Sequence, residues 1–542
     1  MIDAPPFGMR LADWAERALI PLSAMAALIF VVIGASRPVW LDEVSSLSFA
    51  TQNLQGIIMR LRNDTNLPAY YLILHQWIAV FGNSEAAARS LSAIFYLGTI
   101  VVVFVTGRFL FSDTRSPFYC AFFYLISVQA IRQAQNIRGY SLMGFVAALS
   151  IFFFLRWIRT DSPPGTGGVD APSRKRSEGT FERRGPGGPF RHFPSLASLP
   201  LVLVNALGSF THMWFFFLLG AELLVCAIFA PRKLMRAGGL AAISMLPFTL
   251  LWFQPFLDQM QNGATASLNS GMPPSHWIFL PDVMVQYWGG PFEGMYFYAI
   301  CIVCIVLGRS ERGSFSASLR APGVRELTVL FAAAVLLPIS VSVFKPIYSP
   351  ARYTTIALPA LAILIGTLLT RSAPRSLLLA FCYGLLVWTT VSHIQARNDL
   401  PDLPPGQSDV YTAKYIAQHA QRGDVVVFTS LSRPAVDFYL KRFGCTECFR
   451  EVSFPSEMDS HPFWRDVPKM LENRSSLEAE AARSVAEWNQ LTSRDGTSIW
   501  MLYGYDTRVS SILKEQMDHH FSLEQRLDIY GPYHDSLFKY RR

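Results

Sequence analysis

Apolar positions in this chain come in long unbroken blocks, and polar positions are pushed into the connections between them. A helix needs roughly 20 mostly apolar residues to cross a bilayer. By that measure the sequence predicts about eleven spans, near 17–36, 86–111, 117–133, 139–158, 194–211, 212–230, 238–256, 293–309, 326–344, 354–370 and 375–393. Past about 394 the pattern changes. GDVVVFTS (423–430) and TSIWMLYG (497–504) read as buried strands, while RPAVDFYLKRF (433–443), SSLEAEAARSVAEWNQL (475–491) and VSSILKEQMDHHF (509–521) read as helices. Strands alternating with helices predict a small α/β layer with a largely parallel sheet. Neither strand is followed by a Gly-rich phosphate fingerprint, so nucleotide binding is not inferred. The expected architecture is a polytopic α-helical membrane module over 1–393, then a soluble α/β domain over 394–542.

Composition agrees with the pattern. The chain is 51% hydrophobic and 16% charged, against about 25% charged in ordinary soluble domains. The net charge of +8 does not point to nucleic acid, because the basic residues gather in connections between apolar blocks. Arg108, Arg115, Arg174–Arg176, Arg183, Arg184, Arg232, Lys233, Arg236, Arg309, Arg312, Arg320, Arg325, Arg371 and Arg375 fall on one side, and 257–292 on the other has no Lys or Arg. Basic loops stay in the cytoplasm, which puts the amino terminus inside and the first loop (37–85) and the carboxy-terminal domain outside. The block at 18–35 is long enough to span and lacks a small-residue cleavage site, so it reads as a first membrane helix. Segment 160–193, rich in Gly, Pro and charge, reads as a disordered cytoplasmic linker. Five cysteines lie in apolar blocks as packing residues; Cys445 and Cys448, as CTEC, read as a local disulfide in an oxidising compartment.

Charged residues beside a bilayer are costly unless they serve a purpose. The first loop holds Asp42 and Glu43 behind Trp40, then Asp64 and Asn66. A second outer turn gives Arg138 and Tyr140, a third His212, and a later one Tyr348 and Arg352. Carboxylates in one loop facing cations in others suit a lipid-anchored phosphate and a hydroxyl or amine to be deprotonated. Guanidinium groups present a planar fork to phosphate oxygens, and an Asp can act as general base. Each residue has a plainer alternative. The acidic pair can cap the helix that follows, the arginines can be interfacial anchors, and His212 can be a packing residue rather than a metal ligand.

The order WLDE, NDTNLPAYYLILHQWIAVFGNSEAAARSLSAIF, QAQNIRGYSL, THMWFF and SPARYTTIALPAL resembles the GT-C glycosyltransferases, in particular bacterial relatives of protein O-mannosyltransferases and lipid A aminoarabinose transferases. The resemblance covers about 10–395. It implies an enzyme of the bacterial inner membrane, with its site on the periplasmic side. Such an enzyme moves a sugar from a polyprenyl-phosphate donor to an envelope lipid, polysaccharide or protein. Asp42 then matches the family's catalytic Asp with Glu43 in support. Arg138 and Tyr140 match the second-turn motif, and Arg352 matches a lipid-phosphate contact. Asn66 stands where the family usually has His, Leu67 replaces a Pro, and Asn136 stands where Glu is common. Those changes bear on any divalent metal, which the sequence permits and does not require. Other readings of the same residues are a transporter or flippase of a lipid-linked anion and a catalytically silent homologue.

Overall fold

A computed structural model describes residues 7–62, 64–160, 198–261, 279–308, 315–344, 347, 350–398, 409–445, 447–459, 467–495, 497–504, 506–529 and 535–542. The expected linker at 160–193 lies almost entirely outside them, as does Tyr348.

Among the described residues, seven helices are long and apolar enough to cross a membrane: Leu11–Ala35, Glu85–Leu110, Tyr140–Arg159, Pro231–Leu251, Pro291–Gly308, Val324–Ser342 and Arg375–Gln395. Leu199–Ser209, Phe215–Phe229 and Leu358–Ser372 are apolar but shorter. They occupy three more of the expected blocks. The eleventh, expected as one span over 117–133, is broken into Ser116–Leu125 and Val128–Ala134. Ser127 makes the break. It takes an extended backbone, its hydroxyl accepts from the Ala130 N–H, and it donates to the Tyr287 carbonyl at 2.9 Å. A Ser in that role starts a new helix instead of continuing the old one.

Small residues let the bundle close. Helix Leu358–Ser372 crosses Ser116–Leu125 at Gly366, where a Cβ would lie 2.5 Å from the Cys120 backbone nitrogen. Backbone-to-backbone approach of this kind is how helices pack where water supplies no hydrophobic drive. Deeper in the bundle, the Asn205 and Glu222 side chains converge on the Ser150 hydroxyl, each at 2.6 Å, and join three helices by polar contacts.

One face of the bundle carries Glu16, Arg115 and Arg375 in contact, with Lys233 against the Ile158 carbonyl and Arg325 beside Glu326. The opposite face carries the first loop. There, Leu41–Ala50, Leu54–Arg62 and Pro68–Phe81 form three short helices. The first starts at Trp40, whose N–H reaches the Glu43 carboxylate, and Asp42 and Glu43 fill its first turn against the positive helix end. The third starts on Pro68 and stops at Gly82, whose φ of +83° suits a residue without Cβ.

The carboxy-terminal region builds a five-stranded sheet from β1 (Val425–Thr429), β2 (Arg450–Phe454), β3 (Ile499–Tyr503), β4 (Ser522–Ile529) and β5 (Asp535–Arg541), in the order β2-β1-β3-β5-β4. β1 pairs in parallel with β2 and β3, as the strand–helix alternation predicts. The other half is antiparallel: β5 runs against β3, and β4 against β5. The sheet is therefore mixed. β1 and β3 are buried along nearly their whole length and read clearly from sequence, whereas β4, SLEQRLDI, is a largely exposed edge strand with charges that disguise it. Helix Arg433–Arg442 of this domain packs against Leu41–Ala50 of the first loop. Cys445 and Cys448 are bonded just beyond that helix, and the other five cysteines are free and buried.

Candidate functional site

The adjacent acids of the first loop point to different partners. Glu43 is 1% exposed and grips Arg89 at both oxygens, with Nε to Oε1 at 2.9 Å and Nη2 to Oε2 at 2.6 Å. Oε1 also accepts the Ile137 N–H at 2.9 Å. With its oxygens so occupied, Glu43 ties the first loop to the 136–139 turn and has no lone pair turned towards a substrate. Asp42 instead pairs with Arg352, Nη1 to Oδ2 at 2.9 Å, and the Arg352 side chain is 42% exposed. The Arg352 guanidinium also lies over the Trp40 ring, 5.2 Å from its centre.

Arg138 occupies the middle of the site. It is 8% exposed, yet its side-chain contacts are long: Nη1 to the Tyr71 hydroxyl at 3.4 Å and Nη2 to the Asn66 Oδ1 at 3.5 Å. Asp42 and Asp64 act on it electrostatically, but neither forms an ion pair with it. Asp64 turns back on its own loop, Oδ1 accepting from the Asn66 N–H at 2.9 Å and from the Asn66 side-chain amide. Asn66 is therefore oriented by Asp64 so that its carbonyl faces Arg138. A buried cation held this loosely is costly, and the site offers it electrostatic neighbours without a matched anion.

The rest of the wall is aromatic. Arg138 lies 5.9 Å from the Tyr140 ring centre; Tyr140 meets His212 at 5.8 Å and Tyr353 at 6.2 Å. His212 lies 5.0 Å from Tyr353, and Trp214 lies 5.3 Å from the same ring. Burial and the nearby Arg138 charge push the His212 imidazole down to about 3, so it is neutral, and its Nδ1 accepts the Trp214 N–H at 3.2 Å.

The structure thus gathers Asp42, Asp64, Asn66, Arg138, Tyr140, His212 and Arg352 into one neighbourhood and turns Glu43 away from it. Tyr348 lies outside the described residues. Arg89, Tyr71 and Tyr353 had no role assigned by sequence. The signal for Arg89 was present, since it lies one turn inside an apolar span where a charge is expensive.

The donor set does not suit a divalent cation. Asp42 and Glu43 are matched to arginines and Asp64 to Asn66, while Arg138 and Arg352 would repel a second positive charge. His212 has its ring among tyrosines, and among the described residues no group of three or more His, Cys, Asp or Glu comes together to hold a metal.

No protein-family model matches this sequence, and no curated protein matches it. Solved structures do. The crystal structure of ArnT from Cupriavidus metallidurans bound to undecaprenyl phosphate superposes with a TM-score of 0.58 at 14% identity, over 96% of this chain and 97% of that one. The apo form of the same protein gives the same figures. An Archaeoglobus fulgidus oligosaccharyltransferase, in complex with Zn and sulfate, gives a TM-score of 0.42 at 13% identity over 77% of this chain and 61% of that one. The chain is a multi-pass membrane protein with the ArnT-like GT-C fold and a small carboxy-terminal sheet domain.

Proposed function

We propose that this chain is a membrane glycosyltransferase that takes a sugar from a polyprenyl-phosphate donor and places it on an acceptor at the outer face of a bacterial inner membrane. The observation that carries this reading is Arg138: a buried guanidinium with no carboxylate paired to it among the described residues, lodged between Tyr71 and Asn66. A lipid-linked phosphate supplies the missing anion. The ArnT fold adds support, because that protein was crystallised with undecaprenyl phosphate.

The residues then divide the work. The phosphate settles on Arg138 and draws the half-exposed Arg352 away from Asp42. Asp42, relieved of its partner, accepts the proton of the acceptor hydroxyl as the oxygen attacks the anomeric carbon from the side opposite the phosphate. The new glycosidic bond forms as the bond to the phosphate oxygen breaks, which inverts the anomeric centre. The two guanidiniums stabilise the charge that grows on the departing lipid phosphate. Asp64 orients Asn66, and Tyr140 lines the pocket. No step requires a metal. Residues 1–393 form the catalytic module, and 394–542 form the periplasmic domain over it.

The test uses purified protein with labelled polyprenyl-phosphate sugars and candidate envelope acceptors. Asp42→Asn should lower kcat by about 10²- to 10⁴-fold while undecaprenyl phosphate still binds, and Arg138→Ala should abolish that binding. Full turnover in Asp42→Asn removes the base. Movement of the lipid across vesicles with no covalent product makes the protein a transporter instead.

A further inference from the structure

The stretch between the first span and the helix that carries Asp42 forms no helix or strand over 36–40. Its backbone groups therefore need partners from elsewhere, because an unpaired buried N–H or carbonyl is costly. On the carbonyl side, Arg37 and Pro38 are held by one residue. Arg89 donates to the carbonyls of Gly34 and Ala35 at 3.3 Å, to Arg37, and to Pro38 at 3.0 Å. The N–H side is shared. Trp40 donates to Glu43 within the loop, but Val39 donates to the Tyr439 hydroxyl at 2.8 Å, across 400 residues of sequence.

Tyr439 belongs to the carboxy-terminal domain and is 4% exposed. Its hydroxyl passes the bond on, donating to Glu85 Oε1 at 3.0 Å. Arg442, one turn later, donates to the same oxygen and to the Asn83 carbonyl, each at 2.6 Å. Glu85 and Arg89 are four residues apart at the start of one helix, so they share a face. A single helical turn thus secures the loop directly through Arg89 and, through Glu85, anchors the domain that secures its other side.

We infer that the carboxy-terminal domain is a working part of the active site: Tyr439 and Arg442 are positioning residues that fix the 36–40 connection and, through it, Trp40 and Asp42. The inference rests on the reading of Asp42 as base, three residues beyond the Val39 N–H. Misplacing a reacting group by about 1 Å can cost about 10²-fold in rate, so a lost anchor at Val39 should be felt in the chemical step. Donor binding should not change, because among the described residues the contacts of Arg138 are with Tyr71, Asn66 and Tyr140 and not with this domain.

The experiment is hydrogen exchange on the full chain in lipid nanodiscs, read over 36–43 and, as a control, over β1. In Tyr439→Phe, exchange over 36–43 should accelerate about tenfold, as expected for one lost hydrogen bond, with β1 unchanged; in Arg442→Gln, which loosens the Glu85 contact that holds Tyr439, it should accelerate in the same direction and by less. In turnover, kcat should fall while the donor KM holds. Should Tyr439→Phe expose β1 as well, Arg442→Gln, a change at the domain surface, decides the matter. Unchanged exchange over 36–43 in Arg442→Gln overturns the inference. A separate control distinguishes the two readings. Full turnover in Asp42→Asn would remove the base while leaving the exchange result intact. Unchanged exchange beside an inactive Asp42→Asn would remove the positioning role alone.

Discussion

His212 carries a pH dependence whose sign follows from its surroundings. The ordinary imidazole titrates at 6.5, whereas in the fold burial and Arg138 push it down to about 3. Between those values the unfolded chain binds the proton and the folded chain does not, so stability rises with pH. It begins to fall as pH drops below 6.5 and keeps falling towards 3. At pH 5 the loss is at most about 2 kcal/mol, less whatever the half-buried ring regains from solvent. His212→Gln removes the titration. The melting temperature of the wild-type chain should therefore decline relative to the variant between pH 7 and pH 5, and parallel curves would show that His212 meets solvent freely. At this scale the sequence was readable as a set of charges and silent on their pairing. Asp42 and Glu43 look equivalent in WLDE, yet one faces Arg352 and the other Arg89. Side-chain direction within a helical turn decides that, and nothing in a string of letters reports it.

Elements were legible wherever apolar length or strand burial was strong. Each expected span has helix in its place, because a block of about 20 apolar residues has few other fates. The failures were local. Ser127 breaks a block that composition presents as continuous, and the β4–β5 hairpin hides because its outer strand is polar. Gly366 was not singled out at all, although it decides how closely two helices approach. Gly366→Leu would drive a side chain into the Cys120 backbone. The bundle must then splay at that crossing, at a cost of about 1–3 kcal/mol or more. A thermal-shift measurement in detergent should show a clear fall in melting temperature. An unshifted melt would mean that the crossing is looser than the structure has it.

For the whole molecule, the face that carries Asp42 and the face that carries the arginine-rich helix ends are opposite, which is the asymmetry the positive-inside pattern anticipates. Which face meets the cytoplasm is a matter of charge counting, and the structure supplies the means to test it. Every described free cysteine is buried, and Cys445 is bonded to Cys448, so the native chain should react little with a membrane-impermeant maleimide. A single exposed cysteine on each face then reads orientation directly. Thr51 lies at the exposed end of the helix bearing Asp42, and Arg232 lies exposed in the turn before Leu234–Leu251 on the other face. In intact cells with a permeable outer envelope, Thr51→Cys should label at once and Arg232→Cys only after the inner membrane is opened. The reverse pattern would place Asp42, Arg138 and Arg352 in the cytosol, where nucleotide-activated sugars are at hand. The case for a lipid-phosphate donor reaching them from outside would then fail, whatever the similarity of the fold.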